Sequence, residues 1–134
     1  AGFAFSNAIL GEVHAMAHSL GGLLDLPHGE CNGILLNHVV DFNYSSTPDK
    51  FNKISEIIGI KMHNYSSQEK KLILFDKLQE LKESIGIIKS LKELGVRESD
   101  IPLLAHNALN DACIITNPRE AAKEDIEKIF YKAM

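Results

Sequence analysis

Between positions 2 and about 20, apolar residues fall on every side of a helical projection and β-branched residues are few. This predicts a helix buried all round and ended by Gly21-Gly22. After a short loop, in which Pro27 restricts the backbone before it, residues 30 to about 44 read as a second helix. Its Ile34, Leu35, His38, Val39 and Phe42 recur at three- and four-residue spacing. Thr47-Pro48-Asp49 is an N-cap with proline at the first helical position, and Phe51, Ile54, Ile57 and Ile58 mark one face of a third helix ending near Gly59. Ser66 or Ser67 caps a longer helix, closed by Gly86, in which Leu72, Phe75, Leu78, Leu81 and Ile85 form a stripe among lysines and glutamates. A short helical piece at residues 90–94 stops at Gly95. Ser99 then caps a helix carrying Pro102 and running to about Cys113. Asn117-Pro118-Arg119 is a loop, and residues 122–133, with Ile126, Ile129, Phe130 and Ala133 on one side, form a terminal amphipathic helix. No strand pattern, repeat or linker interrupts this series. The expected architecture is one all-α helical bundle over residues 1–134, with the first helix at its centre and the longest outside.

With 134 residues, 45% of them hydrophobic and 24% charged, the chain has the composition of one globular domain, which excludes disorder. A chain of this length buries about two thirds of the surface its unfolded form exposes, so it needs no disulfide. The net charge of −4, with lysines and arginines scattered, provides no electrostatic footprint for nucleic acid or an anionic membrane. A small molecule or another protein is the expected partner. The most apolar stretch, residues 1–26, carries Ser6, Asn7, Glu12, His14, His18 and Asp25, too many polar groups for a membrane span. Cys31 and Cys113 have no paired spacing, and no signal peptide precedes them, so free thiols in a cytoplasmic compartment are expected. The chain starts at Ala1 without Met, inside an apolar run lacking a cap, which suggests a piece of something longer.

Among the six histidines, His14 and His18 lie four residues apart on one helix face, a spacing that can present both rings to one ion or substrate. The plainer reading is two hydrogen-bonded helix residues, because such pairs also arise by chance. Their apolar surroundings favour the chemical reading, since an imidazole buried there needs a partner for each nitrogen. His28, after Pro27, can be brought back against the same helix. Asp25 is close enough to join them, but a loop aspartate at this position is more often a turn former. His38 has a helix-packing explanation, and His63 and His106 fall in loop-like or surface contexts.

The run Ala1-Gly-Phe-Ala-Phe5-Ser-Asn-Ala-Ile-Leu-Gly11-Glu-Val-His14-Ala-Met-Ala-His18-Ser-Leu-Gly21-Gly-Leu-Leu-Asp-Leu-Pro27-His28-Gly29 closely resembles the signature of the iron-containing (group III) alcohol dehydrogenases. Asn32-Gly-Ile-Leu-Leu-Asn-His38-Val, Leu94-Gly-Val, Asp111-Ala-Cys113 and Asn117-Pro-Arg119 resemble further segments of that family in the same order. The resemblance implies the carboxy-terminal helical half of a dehydroquinate synthase-like architecture. Its amino-terminal α/β half, which binds NAD or NADP, would be absent from residues 1–134. It further implies that His14 and His28 are metal ligands, completed by an aspartate and a histidine upstream of Ala1. In place of a His14/His18 ligand pair, it puts His18 beside substrate and nicotinamide as a catalytic and cofactor-binding residue that relays a proton. Phe5 and Cys113 match substrate-lining positions, although both also read as packing residues.

The implied metal is Fe(II), with Zn(II) as the alternative, and the implied substrate an alcohol or aldehyde. The implied partner is the enzyme's own amino-terminal nucleotide-binding domain. A homo-oligomer remains open, and the piece alone would be inactive. Asn37 and Ile88 stand where the family often has proline, and Glu30 where it often has an apolar residue. Two other readings compete: a non-catalytic helical interaction module with structural histidines, and a related metal enzyme of the glycerol dehydrogenase or dehydroquinate synthase type.

Overall fold

The computed structural model describes residues 2–134, apart from the side chains of Ala4 and Phe5. It is all helical, with no strand among the described residues. The elements are α1 (Gly2–Ala8), α2 (Glu12–Leu24), α3 (His28–Asn43), α4 (Pro48–Ile57), α5 (Ser67–Ser84), α6 (Ile101–Leu109) and α7 (Lys123–Ala133), joined in places by single 3-10 turns. The expected all-α bundle is therefore present. None of its helices is long and apolar enough to cross a membrane.

Helix α2 lies at the centre, packed between α3 and α6, while α7 closes against α3 and α6. Met16 and Leu20 of α2, Ile34 and Leu35 of α3, Leu104 of α6, and Ile126 and Phe130 of α7 are buried in one continuous core. Helix α5 packs on α3 from outside and buries only Leu74, which joins Tyr44 and Met62 in a smaller cluster. Its start follows the local signal: the Ser66 hydroxyl accepts the Glu69 N–H at 3.3 Å while the Glu69 carboxylate accepts the Ser66 N–H at 2.7 Å.

Several boundaries differ from those the sequence suggests. The expected first helix breaks after Ala8, where Ile9 takes a left-handed φ of 56° and Gly11 is extended. Gly21-Gly22 does not end α2, which continues to Leu24 and is capped by Asp25 at φ 52°, its N–H bonded to Gly21 O at 2.8 Å. Glycine costs a helix only about 1 kcal/mol per residue. Leu20, fully buried, and Leu24, packed against the core one turn later, outweigh that cost. Residues 90–94 form turns and not a helix. The Ser90–Glu93 pair caps nothing longer, and the backbone N–H of Leu91 bonds instead to Ala133 O at 2.9 Å. Helix α6 stops at Leu109, four residues before Cys113, and a 3-10 turn (Ala112–Thr116) takes over.

Candidate functional site

The 3.6-residue period of α2 stacks His14 and His18 on one face, and the turn through Pro27 brings His28, the first residue of α3, against them. His14 is half-buried; His18 and His28 are exposed. Two imidazoles bonded to one cation at about 2.1 Å, with about 90–110° between the bonds, hold their ring centroids about 4.6–5.3 Å apart. His14 and His28 stand 5.2 Å apart with planes tilted by 50°. His18 and His28 are as close, 5.1 Å, but the two rings stack, with planes only 22° apart. His14 and His18 are 6.2 Å apart, outside that range. Of the three pairs, His14 with His28 combines that spacing with rings that are not stacked.

Electrostatics favour a neutral ring at His14. Burial, then the neighbouring His28 and His18, hold His14 below the ordinary histidine pKa, which leaves a lone pair available near neutral pH. The side-chain amide nitrogen of Asn32, on the next turn of α3, lies 2.9 Å from His28 Nε2, so a cation bound at that nitrogen takes the place of the Asn32 contact. His18 Nδ1 lies 2.8 Å from Asp111 Oδ2. Asp111 is itself tied down, since its other oxygen accepts the Cys113 N–H at 2.8 Å. Burial alone would raise the Asp111 pKa, but the hydrogen bonds from the Cys113 backbone and from His18 outweigh it and keep the carboxyl below its usual range. An ionised acceptor at this position holds the hydrogen on Nδ1 and leaves Nε2 of His18 as a proton acceptor. A cavity of about 440 Å³ opens beside this pair between α2 and α6, lined by His18, Ser19, Leu23, Leu103, Asn107 and Asp111.

Cys113 is half-buried next to Asp111, whereas Cys31 is fully buried in the core; both are free thiols. The side chain of Phe5 lies outside the described residues. Asp25 is exposed and serves as the left-handed cap of α2, the turn-forming role expected of it. His38 packs edge-on against Phe75 with centroids 6.4 Å apart, and His63 and His106 are exposed.

One group escaped the sequence reading. Glu12 opens α2 two residues before His14 and is wholly buried. Its backbone N–H donates to Asn117 Oδ1 at 3.2 Å, and its Oε2 accepts from Asn117 Nδ2 at 3.2 Å. Asn117 also exchanges hydrogen bonds with the Asn43 side chain at 2.8 and 2.9 Å. Arg119, its guanidinium 3.8 Å over the Phe42 ring, donates to Phe42 O at 3.0 Å. This network pins the start of the histidine-bearing helix to the end of α3 and to the loop before α7. Its only sequence signals are a glutamate inside an apolar run and an Asn-Pro-Arg loop.

The chain matches the family described as Fe-containing alcohol dehydrogenase, C-terminal, over residues 1–134. It is 43% identical over 133 residues to 1,3-propanediol dehydrogenase of Citrobacter freundii, covering 99% of this chain and 34% of that protein. Lactaldehyde reductase of Escherichia coli (strain K12) is 42% identical over 133 residues, covering 99% of this chain and 35% of that protein. A crystal structure of 1,3-propanediol oxidoreductase superposes with a TM-score of 0.95 at 42% identity, covering 99% of this chain and 35% of that one. The chain thus spans about a third of the length of the relatives it matches.

Proposed function

The chain belongs to the Fe-containing alcohol dehydrogenase family as its C-terminal part, and from that premise we propose that it is the metal-binding helical portion of an NAD(P)-dependent enzyme interconverting small alcohols and aldehydes. The observation that carries this reading is the meeting of His14 and His28 at 5.2 Å between ring centroids, a spacing compatible with one shared cation. Both are ligands in this proposal, with an aspartate and a histidine from sequence outside residues 1–134 completing the set. The metal is Fe(II), with Zn(II) as the alternative that reconstitution tests. A divalent ion held by these groups would supply Lewis acidity, polarising a carbonyl or lowering the pKa of an alcohol, which is the chemistry a hydride exchange with nicotinamide would draw on.

The chain's own residues have the remaining tasks. His14 offers a neutral ring because burial and its neighbours disfavour the imidazolium. His18 touches substrate and nicotinamide, and accepts or returns the hydroxyl proton at Nε2 while Asp111 holds Nδ1–H at 2.8 Å. Cys113 and Phe5 line the substrate side. The dinucleotide is held by the amino-terminal portion, and the whole works in the cytoplasm, where Cys31 and Cys113 stay reduced.

A chimera tests this. Joining residues 1–134 to the amino-terminal two thirds of the Citrobacter freundii 1,3-propanediol dehydrogenase should restore iron content and nicotinamide-linked oxidation of small alcohols. His14→Asn and His28→Asn should each lower metal content more than tenfold. A folded chimera with neither metal nor activity, or with metal unaffected by both substitutions, would refute the proposal.

A further inference from the structure

We propose that His18, Asp111 and Cys113 form a second cation site, suited to a thiophilic divalent ion of the zinc type. One ligand atom from each, an imidazole nitrogen, a carboxylate oxygen and the thiol sulfur, lie within 4.8 Å of one another. They come from two elements 93 residues apart in sequence, α2 and the 3-10 turn after α6, so the fold and not a local motif assembles them. The site stands on these three residues and does not depend on what His14 and His28 bind.

Three features make it more than a chance cluster. Asp111 is oriented from behind, because its Oδ1 accepts the Cys113 N–H at 2.8 Å and its Oδ2 is thereby aimed at His18. This is the kind of outer support that metal-ligating carboxylates carry. The donor set of nitrogen, oxygen and sulfur suits zinc, cadmium or cobalt and not magnesium or calcium, which take oxygen alone. Ligand atoms around a tetrahedral ion of this class stand about 3.3–3.8 Å apart, so no gap here has to close by more than about 1.5 Å, within reach of side-chain rotation at His18 and Cys113. Two of the three residues, His18 and Asp111, also line the cavity between α2 and α6.

The proton balance is simple. The Cys113 thiol gives its proton to solvent and binds as thiolate; Asp111 binds as carboxylate. The hydrogen on His18 Nδ1 is exchanged through solvent to Nε2, so each ion bound releases one proton and no redox change occurs. An ion seated there also removes the Nε2 lone pair of His18, which makes the site inhibitory wherever that lone pair is used.

Cobalt(II) titration of the full 134-residue chain reads the site directly, because only thiolate ligation yields a strong near-ultraviolet sulfur-to-cobalt charge-transfer band. The band is expected in the native chain and in the His14→Asn/His28→Asn double variant. It should be lost in Cys113→Ser, kept in Cys31→Ala, and require more than tenfold higher cobalt in Asp111→Asn. Zinc should also slow iodoacetamide alkylation of Cys113 in the unsubstituted chain more than tenfold, a readout that needs no variant. A native chain with no band and no protection, or a band that survives Cys113→Ser, would overturn the proposal. Loss of the band in the double variant would show that the cysteine serves the His14/His28 ion and would equally overturn a separate site.

Discussion

Glu12→Gln probes how the fold tolerates a carboxyl in its core. Burial, partly offset by the hydrogen bond from Asn117 and by Arg119 and supplemented by Asp125, raises the Glu12 pKa from 4.5 to about 7. A carboxyl with a raised folded-state pKa is easier to protonate in the native chain than in the unfolded one. Its folded state is therefore favoured fully below pH 4.5, and that stability is lost as the pH climbs through the interval to about 7. At 1.36 kcal/mol per pH unit, the interval amounts to about 3 kcal/mol of destabilisation at pH 8. Glutamine cannot ionise, and its amide oxygen keeps the bond from Asn117, but its NH2 group occupies the position of Oε1, which has no hydrogen-bond partner. That orphaned donor costs about 1 kcal/mol. The variant should therefore be about 2 kcal/mol more stable than the native chain at pH 8 and about 1 kcal/mol less stable at pH 4. Urea unfolding followed by circular dichroism, repeated between pH 4 and 8 in the presence of a chelator, measures the crossing. A difference between the two proteins that stays flat over that range would refute the assigned ionisation.

Phe130, wholly buried between α3 and α6, should cost about 3–5 kcal/mol when replaced by alanine, read as a lower urea midpoint at an unchanged slope. Ser66→Ala removes the hydroxyl that caps α5 and should destabilise by about 1 kcal/mol, with early loss of amide protection confined to the first turn of that helix in hydrogen exchange. Asp41 joins three helices, accepting from Lys71 at 2.7 Å and Lys132 at 3.0 Å. Burial raises its pKa, but the two lysines outweigh that and hold it below 3.8, so its contribution is present above that pH and disappears as acid protonates it in the folded chain. Asp41→Asn should accordingly destabilise at pH 6 and become nearly neutral at the acid end of a stability profile; an effect that persists undiminished in acid would exclude the ion pairs as its cause.

Signals that act within one turn of chain were legible before the fold was known. Pro48 fits the start of α4 because its fixed φ suits a helix and its missing N–H is not needed there, and the Ser66–Glu69 capping box satisfies backbone groups three residues away, so their residues suffice to locate those helix starts. The four-residue interval between His14 and His18 likewise follows from helix periodicity alone. The turn through Pro27 allowed His28 to join them, and the family resemblance implied that His14 pairs with His28 and not with His18. Gly21-Gly22 misled because the local glycine penalty is smaller than the core burial won by Leu20 and Leu24, and that burial depends on α3 and α6 being in place.

Long-range chemistry was hidden for the same reason. Asp111 meets His18 across 93 residues, and Asn117 meets Glu12 across 105, so no periodicity connects them. Helix type and amphipathic faces follow from propensity and capping, which are local free energies written residue by residue. Which imidazole faces which, which carboxyl is desolvated and which thiol joins them follow from packing, because those energies exist only once distant segments exclude water from one another.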